Sequence, residues 1–195
     1  MPVDFAACDL VREPFESEGM RIRALDLDAD IPVMHRWFTL DYARFWNMQG
    51  QTEREVHAVY AALLRSGHAM AYTGLVHGQA AFLVECYDPA HDELGRHYAV
   101  RPGDVGMHFF VGPSPVPVSG FTRRVFRTLM RFMFERLDAR RIVVEPDARN
   151  HKVHVLNRAM GFVDQGEVRL TEKIAALAFC TRESFYQTQS EELAE

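Results

Sequence analysis

The residues with the most chemical capability stand in two short stretches. In "GMHFFVG" a histidine, His108, interrupts an apolar run; in "VVEPDARNHKVHVLNRAMGF" the chain breaks from apolar residues into Pro, Asp, Arg, Asn and His before resuming. A neutral imidazole can remove a proton from an attacking nitrogen near neutral pH, so His108 reads as a general base. It reads also as a strand histidine hydrogen-bonded to a neighbour. Asp147 can hold a substrate or orient an imidazolium as the third group of a triad does, or else cap the following helix or pair with Arg149. His151 and His154, spaced i and i+3, would need Asp147 and a fourth ligand to bind a metal. No fourth ligand stands at suitable spacing, so both read as surface or cofactor-side residues.

A third stretch, "MHFFVGPSPVPVSGFTRRVF", runs in the order strand, small-residue loop, helix start with arginines in the first turn. Amide groups at a helix start lack partners and carry partial positive charge, so this order suits a phosphate, with Arg123 or Arg124 adding charge. The same arginines, with Arg127 and Arg131, otherwise form a solvated face. Phe45, Trp46 and Met48 can wall a substrate pocket or close the core.

These residues need elements to hold them. "MRIRALDL" alternates as a strand does, and "ADIPVMHRWFTLDYARFW" predicts a helix capped by Asp30, with Pro32 in its first turn and Val33, Trp37 and Leu40 inward. "EREVHAVYAALLRSG" predicts a second helix with Val56, Val59, Tyr60 and Leu63 on one face and closure at Gly67. "HAMAYTGLVHGQAAFLVECYDP" predicts two strands turning at His77-Gly78. "DVGMHFFVGP" predicts a further strand, with His108 opposite Met107, Phe109 and Val111. "FTRRVFRTLMRFMFERL" predicts a helix with Val125, Leu129 and Phe132 or Met133 inward, and "RRIVVEP" a buried strand. A loop and helix over residues 143–162 and final strand material in "EVRLTEKIAALAFCT" complete a predicted order of βααβββαβαβ, a mixed α/β sheet.

A chain of 195 residues, 48% hydrophobic and 25% charged, suits one domain, here residues 21–195 after an N-terminal extension of residues 1–20. The net charge of -5 speaks against a general nucleic-acid binder. Cys8, Cys86 and Cys180 lie far apart, which predicts neither a disulfide framework nor a zinc module and fits a cytoplasmic protein. No leader and no apolar stretch of bilayer-spanning length is read, so no membrane partner is expected.

Together, "GFTR", "VVEPDARNHKVHVLNRAMGF", "KIAALAFCTRESF" and "FWNMQGQ" resemble the GNAT superfamily of acyl-CoA transferases. Within it they are similar to the branch that acylates N-hydroxylated amines in hydroxamate-siderophore biosynthesis. The resemblance runs from about Arg21 to Phe185 and is strongest after Gly106. It implies a mostly antiparallel central sheet whose fourth and fifth strands splay to admit an acyl-pantetheine arm. The implied cosubstrate is acyl-CoA, acetyl or succinyl, with no metal, and the acceptor a small hydroxylated diamine or lysine; the enzyme would be a monomer or dimer.

By the same resemblance, Ser119, Gly120, Phe121, Thr122, Arg123 and Arg124 take the pyrophosphate. Phe110, Val111 and Asn150 also touch the cosubstrate, and His108 and Asp147 are catalytic. Pro117 departs from the Arg or Gln that usually opens the phosphate motif, and Thr122 from the small residue that closes it. Asn157 stands where many members carry a Tyr that protonates the departing thiolate. A thiol of pKa about 8.5 can leave as thiolate without a strong acid, so that Tyr is dispensable in principle. The alternatives are an acyltransferase for another amine, such as an antibiotic or a protein terminus, and a non-catalytic acyl-CoA-binding domain.

Overall fold

The computed structural model describes Phe5, residues 13–114 and residues 118–192; Cys8 and Pro117 lie outside the described residues. The strands are β1 Phe15–Ser17, β2 Met20–Ala24, β3 Ala69–Val76, β4 Gln79–Tyr87, β5 Asp104–Val111, β6 Arg141–Val144, β7 Val163–Arg169 and β8 Ile174–Thr181. The helices are α1 Leu27–Phe38, α2 Glu53–Arg65, α3 Phe121–Arg131, α4 His151–Ala159 and α5 Arg182–Glu192. The strands form a mixed sheet in the order β1-β2-β3-β4-β5-β6-β8-β7. β1/β2, β2/β3, β6/β8 and β7/β8 pair antiparallel, and β5 runs parallel to β6. The strands predicted as fourth and fifth are thus β5 and β6, because β1 precedes them.

The chain divides into two compact units: the described residues of Asp4–Cys86 with His108–Thr128, and those of Tyr87–Met107 with Leu129–Glu195. In the first, β1 and β2 turn at Glu18-Gly19, whose φ values of 53° and 75° give the twist a tight hairpin needs. The sheet therefore begins inside the predicted N-terminal extension. β3 and β4 turn at His77-Gly78, at φ 50° and 77°, as predicted.

Helix α1 starts one turn earlier than predicted. Asp26, not Asp30, is its cap, accepting from the amides of Asp28 and Ala29. Asp30 is instead 3% exposed. Its carboxylate accepts from Arg23 Nη1 and Nη2 at 2.6 and 2.8 Å, from Thr73 Oγ1 at 2.6 Å and from the Asp26 amide at 2.9 Å. A carboxylate with that many donors is satisfied inside the fold, where one facing water at a helix end would be redundant.

Helix α2 opens on a capping box of Thr52 and Glu55 and ends beside Gly67, at φ 72°. It turns Val56, Tyr60 and Ala61 inward and leaves Val59 39% exposed, one position off the predicted face. Ile31, Met34, Trp37 and Phe38 of α1 join Val56, Tyr60, Leu83 and Phe110 in one apolar cluster, which fixes both helices on β4 and β5.

In the second unit, β5 and β6 are in register from Asp104↔Arg141 to Gly106↔Val143, and Arg141 clamps Asp104 through Nε and Nη2 at 2.8 and 2.6 Å. Only glycine fits at position 106, where a Cβ would stand 2.1 Å from Tyr87 Cζ. The final strand material resolves into the β7–β8 hairpin, followed by α5. The sequence does not predict α5, because among its described residues only Phe185 is buried.

Candidate active site

His108 lies on β5 with its side chain 37% exposed, its Nδ1 3.2 Å from Oε2 of Glu85, a β4 side chain 13% exposed. The other carboxylate oxygen, Oε1, accepts from the Tyr60 hydroxyl at 2.7 Å, and that hydroxyl oxygen accepts from Trp46 Nε1 at 3.3 Å. Trp46 also stands edge-on to the imidazole at 6.5 Å and to Phe110 at 5.6 Å. A carboxylate only accepts, so it assigns the proton to Nδ1; in the neutral ring the lone pair then sits on Nε2. Burial, reinforced by Glu85, holds the Tyr60 hydroxyl well above its ordinary range, so it stays protonated and donates.

Cys86 and Cys180 are unsuited to nucleophilic work. Burial, then Glu85, pushes the Cys86 thiol far up, and burial pushes that of Cys180 up to about 12.

Tyr42 stacks on Phe110 at 5.4 Å and donates to the Val111 carbonyl at 3.2 Å. The next amide, Gly112, donates to Ala81 of β4 at 2.8 Å, so strand alternation turns the Val111 backbone groups away from β4. Among the predicted acceptor residues, Trp46 reaches His108. Phe45 lies under the Arg44 guanidinium at 4.7 Å, and Met48 packs against the α1–α2 cluster.

The predicted phosphate segment leads into α3. Ser119, Gly120 and Arg124 are exposed, and Phe121, Thr122 and Arg123 partly so. Gly120 has φ 72° and open space where a Cβ would be, so conformation rather than crowding calls for glycine. The arginines are not a plain solvated face. Arg124 donates to the Glu18 carbonyl at 3.2 Å, and Arg127 grips the Glu18 carboxylate at 2.6 and 2.9 Å, tying α3 to the β1–β2 turn.

In the other unit, Asp147 is 8% exposed and accepts from the Arg149 amide at 2.8 Å and from its Nε and Nη2 at 2.9 and 2.7 Å. The Arg149 guanidinium holds its carboxyl at about 2. The pair with Arg149 that the sequence offers is thus formed. Asn150 donates its amide to the Asp147 carbonyl at 2.8 Å and precedes α4 without a side-chain cap bond. Glu145, also buried, accepts from the Tyr87 hydroxyl at 2.9 Å, with Lys173 Nζ at 3.5 Å. The rings of His151 and His154 are 6.2 Å apart, and among the described residues no group of three or more His, Cys, Asp or Glu could hold a metal.

Glu85 and Tyr60 are the residues that sequence reasoning misses. The signal for Glu85 is one carboxylate inside the apolar strand run "FLVECY".

Residues 26–170 match the family model for an acetyltransferase (GNAT) domain. The chain is 26% identical to an N-hydroxyputrescine acetyltransferase of Acinetobacter baumannii over 166 residues, 85% of this chain and 79% of that protein. It is 24% identical to an N(6)-hydroxylysine O-acetyltransferase of Escherichia coli over 171 residues, and there spans 86% of itself but about half, 53%, of the relative. An uncharacterized protein from Bacillus halodurans has the same fold, with a TM-score of 0.84 at 24% identity, covering 93% of this chain and 96% of that one. With most of its length inside the family model, the chain belongs to the GNAT acetyltransferase family.

Proposed function

We propose that this acyltransferase moves an acyl group from acyl-CoA to the hydroxylated nitrogen of a small diamine or lysine, forming a hydroxamate for siderophore biosynthesis. The observation that carries the reading is His108, held on an apolar strand with Nδ1 against Glu85 and Trp46 alongside. The names of the Acinetobacter and Escherichia relatives support the acceptor class. A hydroxylamine nitrogen is less basic than an alkylamine, so it arrives unprotonated at neutral pH and asks only for a moderate base. As it attacks the thioester carbon, the carbon–nitrogen bond forms and the carbon–sulfur bond breaks. The nitrogen's proton goes to His108 Nε2, and the sulfur leaves as thiolate.

In the same reading the amides around Ser119 and Gly120, with Arg123 and Arg124, take the cosubstrate phosphates, while Phe110, Val111 and Asn150 contact its arm. Phe45, Trp46 and Met48 serve the acceptor, and Asp147 holds it or assists the base. Steady-state kinetics with N-hydroxyputrescine, N-hydroxycadaverine and N-hydroxylysine, beside their parent amines, with acetyl-CoA and succinyl-CoA, test this. The hydroxylated forms should have the higher kcat/KM. Equal kcat/KM for a parent amine would refute the acceptor assignment, and no CoA release with any amine would refute the transfer itself.

A further inference from the structure

We propose that Glu85 is the positioning residue for His108: its carboxylate fixes the imidazole as the Nδ1–H tautomer and stabilises the imidazolium formed during transfer, with Tyr60 and Trp46 holding that carboxylate in place. The proposal rests on the reading of His108 as the base.

The geometry supports a dedicated device rather than a chance contact. Both carboxylate oxygens are engaged, Oε2 by His108 Nδ1 at 3.2 Å and Oε1 by Tyr60 at 2.7 Å. Tyr60 is fully buried, and its hydroxyl oxygen accepts from Trp46 Nε1 at 3.3 Å. The chain Trp46–Tyr60–Glu85–His108 thus starts beside the imidazole and returns to it, because Trp46 itself stands edge-on to the ring. A histidine whose Nδ1–H rests on a fixed carboxylate presents Nε2 as acceptor in one orientation, and proton uptake at Nε2 gives a cation already facing an anion. No proton moves to Glu85. The proton leaves the acceptor nitrogen and stays on His108 Nε2 until the site returns it to solvent or to the departing sulfur.

Among the described residues, the groups set against the imidazole include Glu85 from β4 and, behind it, Tyr60 from α2, with Trp46 as aromatic surface. Two conservative variants then have opposite signatures. Glu85→Gln removes the charge, so the neutral ring is favoured and its ionisation moves to lower pH. Tyr60→Phe removes one donor from Glu85, concentrating its charge toward the ring, and moves the ionisation to higher pH.

The experiment is nitrogen NMR of histidine-labelled full-length protein, with His108 assigned by its absence in His108→Ala, beside steady-state kinetics across pH. The wild type should show the Nδ1–H tautomer above its ionisation. Glu85→Gln should lose that preference, ionise at lower pH and lose at least about tenfold in kcat with acceptor KM little changed; Glu85→Asp should recover part of the rate. An unchanged tautomer and ionisation in Glu85→Gln would overturn the positioning role. If Glu85→Gln does not fold, Tyr60→Phe decides: an upward move supports the role, and an unmoved ionisation overturns it. Wild-type turnover by His108→Ala would overturn the base assignment and, with it, any catalytic consequence of Glu85, a failure distinct from an unmoved tautomer.

Discussion

Replacing Asp30 with Ala tests whether this carboxylate is a helix cap or an internal anchor, because the two roles differ in size. Loss of a cap costs about 1 kcal/mol. Loss of one partner from a buried, hydrogen-bonded pair costs about 3 to 5 kcal/mol. The Arg23 side chain keeps 30% exposure, so water can take up part of its charge. Thr73 is fully buried and loses its acceptor outright. The lower end of the range follows, about 3 kcal/mol, or roughly 6 to 12 °C in Tm for a chain of this size.

The effect also carries a pH signature. Burial alone would raise the Asp30 carboxyl, but bonds from Arg23, Thr73 and the Asp26 amide bring it below its ordinary value of 3.8. A group depressed in the folded state stabilises fully above its unfolded value and loses that contribution as pH falls through the folded one. The gap between wild type and Asp30→Ala should therefore be constant near neutrality and narrow below about pH 4. Urea unfolding followed by tryptophan fluorescence at pH 7 and at steps down to pH 3 measures it. A loss near 1 kcal/mol, or a gap that does not change with pH, would refute the anchor.

His108→Ala should lower kcat by ~100-fold to 10,000-fold while calorimetry finds acyl-CoA affinity nearly unchanged. Asp147→Asn should lose activity, in acceptor KM if the residue holds substrate and in kcat if it assists the base. Because Arg149 holds the Asp147 carboxyl at about 2, removing it should leave every inflection of the activity profile above pH 5 in place; an inflection lost there would contradict the pairing. Gly106→Ala should destabilise the protein by about 1 to 3 kcal/mol in denaturant unfolding, since the new methyl meets the Tyr87 ring. Tyr87→Leu in the same background should return part of that loss, and equal losses in the single and double variants would rule the ring out as the cause.

How much was legible followed the sequence distance over which each signal acts. The His77-Gly78 turn is local chemistry between two long strands, and it is found. The Glu18-Gly19 turn has the same chemistry, but β1, "FES", is too short to show alternation. Asp26 and Asp30 are four residues apart at one helix start, and pattern alone does not say which faces water; Arg23 and Thr73 decide it. The Asp147–Arg149 pair is visible as an alternative because the partners are two residues apart. His108 stands out as the one titratable group in the apolar run "GMHFFVG", whereas Glu85 is 23 residues earlier and its role depends on how β4 and β5 meet. Helix α5 has one buried residue among its described ones, so periodicity passes over it.

The bond from Tyr42 to the last carbonyl of β5 bears on how this scaffold could be re-engineered. The turn Asp41–Trp46 carries Trp46, and the end of β5 carries His108, Phe110 and Val111; Tyr42 and Trp46 touch Phe110, while the ring of Trp37 stands 2.6 Å from where a Cβ on Gly112 would be. A turn transplanted from a relative would bring its own side chains against a strand end shaped for these. On the proposed placement of the acceptor beside Trp46 and His108, exchange of acceptor preference is therefore best attempted with both segments, 41–46 and 108–112, moved as one cassette.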